Sequence, residues 1–277
     1  MQEDYRKTMH VNTTRKLNTT TIYKLLKQAQ LSWWKGGIRE ITLVLVIWAV
    51  YALIHDGLPE RAILAFHNAY NIIDFEVRLK FFWEPGIQSW FLRSDFLVQL
   101  ANSLYTLLFY PVIISFGIWA YRCHRQQYSI ARNALFISAA IGLSCFAFYP
   151  MAPPRLLPSL GFVDTLDKYL KLNSSSLPAF LVNQYAAMPS FHVGWTLLIG
   201  MATFRIAKTW WLKLVGILLP LLMLVTVIAT ANHFILDAIA GAVLVSLSYG
   251  LAMLFAKLIK PSELSAAPDR LIVRPDL

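Results

Sequence analysis

The chain has 277 residues, 57% hydrophobic and 14% charged, against about 25% charged in an ordinary soluble domain, so too few charges remain to clothe a surface facing water. Its 17 Phe, 12 Tyr and 9 Trp exclude a natively disordered chain, which needs low hydrophobicity and high charge. The net charge of +10 is spread between apolar runs and is not gathered beside a nucleic-acid-binding motif, so no nucleic-acid partner is expected and phospholipid head groups are the anions it suits.

The chain opens with a basic arm, residues 1–37, in which Ile22, Leu25, Leu26, Trp33 and Trp34 stand among lysines. That pattern fits an interfacial helix and equally a mobile basic tail. The first apolar run begins only at Ile41, after this polar stretch and with no small-residue cleavage site nearby, so it is expected to stay as a membrane span. A helix needs about 20 mainly apolar residues to cross the hydrocarbon, and six stretches approach this: Ile38 to Leu58, Phe96 to Tyr121, Ile130 to Tyr149, Phe191 to Ala207, Trp211 to Ala231 and His233 to Leu258. The expected fold class is all-α, a polytopic membrane protein with six transmembrane helices. Residues 38–260 form its membrane domain and 261–277 a cytoplasmic tail.

Two connecting segments are long. Residues 59–95 alternate acids with Phe81, Phe82, Trp83, Trp90 and Phe91, which suits a segment lying at the membrane surface. Residues 150–190 carry MAPPRLLP and then SSS at 174–176. A structureless loop of roughly 40 residues is uncommon unless it serves a function, and short helices shaping a binding site are expected there. Cys123 and Cys145, the two cysteines, cannot build a disulfide framework. Lys and Arg collect on the cytoplasmic side; with the N-terminus inside, the inner segments hold 18 of the 25 basic residues, which predicts that both termini are cytoplasmic.

Counting crossings places Arg155, His192 of MPSFH and His233 of ANHFILD on one face of the membrane, by the charge count the extracytoplasmic or lumenal one. Asp237 follows His233 by four residues, one helical turn away on the same face. An ionised Asp within the bilayer costs about 2.5 to 3.5 kcal/mol on insertion scales. Each residue alone has a bland reading: a helix-end histidine, a buried polar pair, a snorkelling arginine. Four such accidents on one side are harder to accept.

Together they suit phosphoryl chemistry. An arginine fork grips phosphate oxygens at two points, and N–H groups at the helix start around Ser190 and Phe191 add an anion site. One neutral histidine attacks phosphorus while a carboxylate fixes its tautomer; the second protonates the leaving alkoxide. The scheme requires no metal or other cofactor, and the chain lacks the acidic clusters that usually hold magnesium.

PSFH followed about 40 residues later by NHFILD resembles the second and third signature motifs of the type 2 phosphatidic acid phosphatase (PAP2) superfamily, and APPR matches the position of the first. The combination FYPMAPPR, PSFHVG and NHFILD is more similar to the inositol phosphorylceramide synthase and inositolphosphotransferase branch. The resemblance implies a six-helix bundle with His233 as nucleophile, Asp237 as its partner, His192 as acid/base and Arg155 as phosphate ligand. It implies a phospholipid or lipid phosphate as substrate, with water, inositol or a sphingoid lipid as acceptor. The phosphatase pattern, however, has a lysine where this chain has Phe148, a glycine at Phe191 and an arginine at Val227. The absent cations point toward the transferase branch or to substitution by Lys168 or Lys171. Two other classes compete: a transporter in which the His and Asp residues relay protons, and a metal site of two histidines and a carboxylate.

Overall fold

The computed structural model describes residues 36–47, 49–50, 61–170 and 184–258. Most of the basic arm, the triserine, Lys171 and the tail at 261–277 lie outside them. The chain divides into two compact units, residues 1–50 and 51–277. In the first, residues 36–47 and 49–50 are helical and expose Ile38, Ile41, Leu45 and Val46, as the start of a lipid-facing span would. The remainder of that expected span, residues 51–58, is not described.

The helices of the second unit are α1 (Ala62–Arg78), α2 (Glu84–Phe91), α3 (Asp95–Cys123), α4 (Arg125–Phe148), α5 (Thr165–Leu170), α6 (Phe191–Ile206), α7 (Trp210–Ala229) and α8 (Ile235–Leu258). Among the described residues the one β feature is an isolated bridge between Met151 and Ala186, so the all-α class stands. Four helices, α3, α4, α7 and α8, are long and apolar enough to cross a membrane, with 29, 24, 20 and 24 residues. Helix α6 is apolar but has only 16 residues, about 24 Å of helix against a hydrocarbon core of about 30 Å. Among the described residues, four helices are therefore long enough to span.

The membrane helices are dressed for lipid. On α7, Leu214, Leu218, Leu221 and Val225 are exposed, and on α8, Val243, Leu247, Leu251 and Leu254; in water such a surface would drive aggregation. Between helices in lipid, close packing replaces the hydrophobic drive, and small residues allow it. A Cβ on Gly194 would lie 2.8 Å from a Val245 methyl and 2.9 Å from the Gly241 carbonyl, one on Gly241 would collide with the Ser190 carbonyl, and Gly200 and Gly216 face each other as tightly across α6 and α7. Helix α6 consequently packs most extensively on α7 and α8, and α8 on α4.

The segment 59–95 departs from the surface ribbon its composition suggests. Helix α1 buries Ala65, Ala69, Ile72 and Ile73 against Met151, Ala152, Leu157, Phe162, Ala187 and Phe234, one apolar cluster touching the loops that carry all three motifs. The polar residues Asn68, Glu76, Glu84 and Gln88 of α1 and α2 are buried too. The segment's aromatics and acids are read as interfacial because sequence does not reveal inward hydrogen-bond partners.

Candidate active site

The α7–α8 corner carries His233. Helix α7 ends at Ala229, Ala231 takes a left-handed φ of 52°, and the N–H groups of Asn232 and His233 turn back to the Val227 carbonyl at 2.9 and 3.3 Å. Asn232 Nδ2 donates to Thr230 Oγ1 at 2.8 Å, and the Arg155 N–H donates to the Ala231 carbonyl at 2.8 Å. A left-handed non-glycine residue costs about 1 to 3 kcal/mol and persists only where its surroundings over-determine it; these bonds do so. The corner and the first-motif arginine are thus joined through the backbone.

His233 is buried and lies two residues before α8 begins, so it and Asp237 do not share a helix face as their spacing suggests. Its Nδ1 is 2.8 Å from the Ala187 carbonyl, whereas Asp237 Oδ2 stands 3.6 Å away and instead accepts the Phe234 N–H at 2.8 Å. A carbonyl can only accept, so this bond puts the proton on Nδ1 and leaves the Nε2 lone pair free. A main-chain oxygen thus takes the hydrogen bond expected of the carboxylate, and the buried Asp237 carboxyl lies beside it.

His192 is the second residue of α6. Its ring packs on Tyr105 and Phe109, each at 4.2 Å between centroids, and lies 6.0 Å from the His233 ring. Reacting atoms approach to about 3 to 3.5 Å, so two imidazoles at this spacing can flank one phosphoryl group. Ser190 is the buried N-cap of α6: its Oγ accepts the Val193 N–H at 3.5 Å and its own N–H donates to the Asp237 carbonyl at 2.9 Å. That last bond locks the second motif to the third. The N–H groups of Phe191 and His192, the first two residues of α6, are first-turn donors that a helix does not pair internally.

Arg155 sits in a 3-10 turn, Pro154–Leu156, its side chain 8% exposed and its Nε 3.5 Å from Asp164 Oδ2. Asp164, absent from the sequence-level candidates, also caps α5 by accepting the N–H groups of Leu166 and Asp167 at 3.1 Å each. The neighbouring Val163 is held at two points by Gln88, through its carbonyl at 2.8 Å and its N–H at 3.1 Å.

The family departures have definite surroundings. Phe148 is 84% exposed and Val227 is fully buried. Phe191 stacks on Trp195 at 4.6 Å and its ring occupies the space a side chain at Gly142 would need. Lys168 places Nζ 5.1 Å from the Tyr169 ring centroid, and Lys171 is outside the described residues. Among the described residues no three His, Cys, Asp or Glu side chains converge as ligands for one metal ion.

Two further acids lie under the corner: Glu84 Oε1 accepts the Ile235 N–H at 2.8 Å and Glu76 Oε1 the Leu236 N–H at 2.9 Å. Burial and the adjacent Glu84 push the Glu76 carboxyl up to about 9. Sequence reasoning missed both; the available signal was an acid set within an apolar, aromatic stretch.

Two imidazoles, one with a free Nε2, and a guanidinium tied to the same corner are the groups that acid–base-assisted phosphoryl transfer needs. No curated protein and no solved structure matches the chain. The family model of the PAP2 superfamily matches residues 70–251, more than half of the chain and all three motifs. The chain belongs to the PAP2 superfamily.

Proposed function

We propose that the protein is a membrane enzyme that cleaves or transfers the phosphate or phospho-head-group of a lipid through a phosphohistidine intermediate, in the manner of the inositolphosphotransferase branch. PAP2 membership suggests phosphatase or phosphotransferase activity; the finer reading is carried by the bond from His233 Nδ1 to the Ala187 carbonyl, which frees Nε2 for attack. Nε2 bonds to phosphorus as the bond to the leaving alkoxide breaks, and His192 gives that oxygen a proton. His192 then takes a proton from the acceptor hydroxyl, which displaces His233 from phosphorus. Arg155, the Ser190 hydroxyl and the N–H groups of Phe191 and His192 hold the non-bridging oxygens. Asp237, 3.6 Å from Nδ1, offsets the positive charge that grows on the ring.

The acceptor separates two versions of this reading. With inositol or a sphingoid lipid the product is a new phospholipid, and with water it is free phosphate or a phospho-head-group. Val227 and Phe148 in place of two family cations favour transfer. We also propose six spans, counting the helix that begins within residues 36–50 and the short α6, with both termini cytoplasmic and the site extracytoplasmic or lumenal. The test is the purified protein in detergent, offered a panel of lipid phosphates and phospholipids with and without inositol or ceramide, in the presence of EDTA. A new phospholipid that depends on the acceptor supports transfer, phosphate release supports hydrolysis, and activity lost to EDTA or no turnover of any lipid overturns the reading.

A further inference from the structure

The first turn of α8 is held in an unusual way. A helix start leaves four N–H groups without partners inside the helix, and a single Ser, Thr, Asp or Asn commonly serves one or two of them. Here three consecutive N–H groups each meet a different carboxyl group: Phe234 to Asp237 Oδ2 at 2.8 Å, Ile235 to Glu84 Oε1 at 2.8 Å, and Leu236 to Glu76 Oε1 at 2.9 Å. The three acids come from α8, α2 and α1, and all are fully buried. Burying an acid is costly, and a local Asn would cap a helix without that cost.

The same two helices hold the other motif. Asn68 of α1 donates to the Pro150 carbonyl at 2.8 Å, the Ala152 N–H reaches the Ala65 carbonyl at 3.1 Å, and Gln88 of α2 grips Val163 beside Asp164, the partner of Arg155. Helices α1 and α2 therefore touch both the loop that carries Arg155 and the turn that follows His233. The second oxygens, Glu76 Oε2 and Glu84 Oε2, have no hydrogen-bond partner among the described residues, and a proton held between them would satisfy both.

We infer that Glu76 and Glu84 are positioning residues: as one proton-sharing pair they fix the start of α8, and so set the distance between His233 Nε2 and a phosphate held by Arg155. The inference rests on the reading of His233 as nucleophile. Because the pair acts on the alignment of reacting groups and leaves the lipid's own contacts alone, its loss should lower kcat and spare KM.

The test uses the full-length protein in detergent micelles with phosphatidic acid as probe. Kinetics below each variant's melting temperature are combined with hydrogen exchange at residues 234–236. Glu76→Leu and Glu84→Leu should lose about tenfold or more in kcat, the scale of loss known for misplacements of about 1 Å, with KM changed less than about twofold. Glu76→Gln keeps the acceptor oxygen in a neutral group and should stay within about threefold of wild type. Glu84→Asp keeps the charge but shortens the reach; it carries the test if a leucine variant does not fold, and its kcat should also fall. Wild-type kcat in Glu84→Asp and Glu76→Leu, a rise in KM at unchanged kcat, or a Glu76→Gln variant as damaged as Glu76→Leu would each overturn the inference. If the wild type leaves phosphatidic acid and every other lipid untouched, the functional reading has failed. The clamp is then judged by exchange alone, which must quicken in Glu76→Leu and Glu84→Asp but not in Glu76→Gln; equal exchange in all variants overturns it.

Discussion

His192 presents its imidazole against two aromatic rings, Tyr105 and Phe109, a setting that fixes the ring plane and leaves its edges for proton transfer. If it donates a proton to the leaving group, His192→Ala should slow release of an alkyl alcohol by about 10² to 10⁴, the usual worth of acid–base assistance. It should slow release of nitrophenolate far less. Equal losses with the two leaving groups, measured on an alkyl and a nitrophenyl phosphate, would take that role from His192. Glu76 allows a second prediction. Its carboxyl holds a proton up to about 9 against an ordinary 4.5, so across that range the folded protein keeps a proton that the unfolded chain has released. Stability is then full below about 4.5 and falls as pH rises toward 9. Glu76→Gln has no such proton, so its melting temperature should decline less than the wild type's over this range; parallel declines would mean that Glu76 is ionised in the fold. The histidines, Arg155 and Asp237 were legible in the sequence because they sit in short motifs whose spacing survives without a structure. Glu76, Glu84 and Asp164 were not, because their partners lie far along the chain or are main-chain groups, and no local pattern announces them.

Helix boundaries were legible because hydropathy and turn residues mark them locally: expected spans at 96–121 and 233–258 became Asp95–Cys123 and Ile235–Leu258. The inward set of α1 and α2 was not, since an amphipathic pattern shows that a face is buried but not against what. The shortness of α6 follows from the proline and serine of MPS, which put its cap at Ser190. Close helix contacts give a prediction at this scale. A methyl at Gly241 meets the Ser190 carbonyl, a main-chain atom that cannot swing aside. Gly241→Ala should thus part α6 from α8, cost about 1 to 3 kcal/mol as overpacking does, and lower activity by disturbing the Ser190 to Asp237 bond. Gly250→Ala, on the same helix with nothing within 4 Å, should be neutral or stabilising. Melting curves of the two variants in one detergent check this; equal effects would show that the α6–α8 contact yields easily.

For the whole molecule, composition and the three motifs disclosed a membrane-embedded family member, while the number of spans depends on helix lengths that composition does not fix. Sidedness rests on the 18 basic residues assigned to inner segments. Cysteines introduced at Ser175 and at Lys208, in a background lacking Cys123 and Cys145, should report it. A thiol reagent that cannot cross membranes should label Ser175→Cys in intact cells and Lys208→Cys only after permeabilisation. The reverse pattern would invert the topology while leaving Arg155, His192 and His233 on a common face.

The ring of Phe191 lying where a side chain of Gly142 would stand has a consequence for descent. These two positions cannot drift singly: a bulky residue at 142 is shut out while Phe191 remains, and glycine at 191, the residue of the phosphatase pattern, would leave a hole beside α4. Phe191→Gly alone should cost about 3 kcal/mol, at the low end for truncating a packed phenylalanine. Adding Gly142→Leu should recover part of that loss, whereas Gly142→Leu on its own should be worse than either. Coupling of this sign in a double-mutant melting cycle would mark a paired substitution by which a lineage exchanges one second motif for the other, with His192 beside it unchanged throughout.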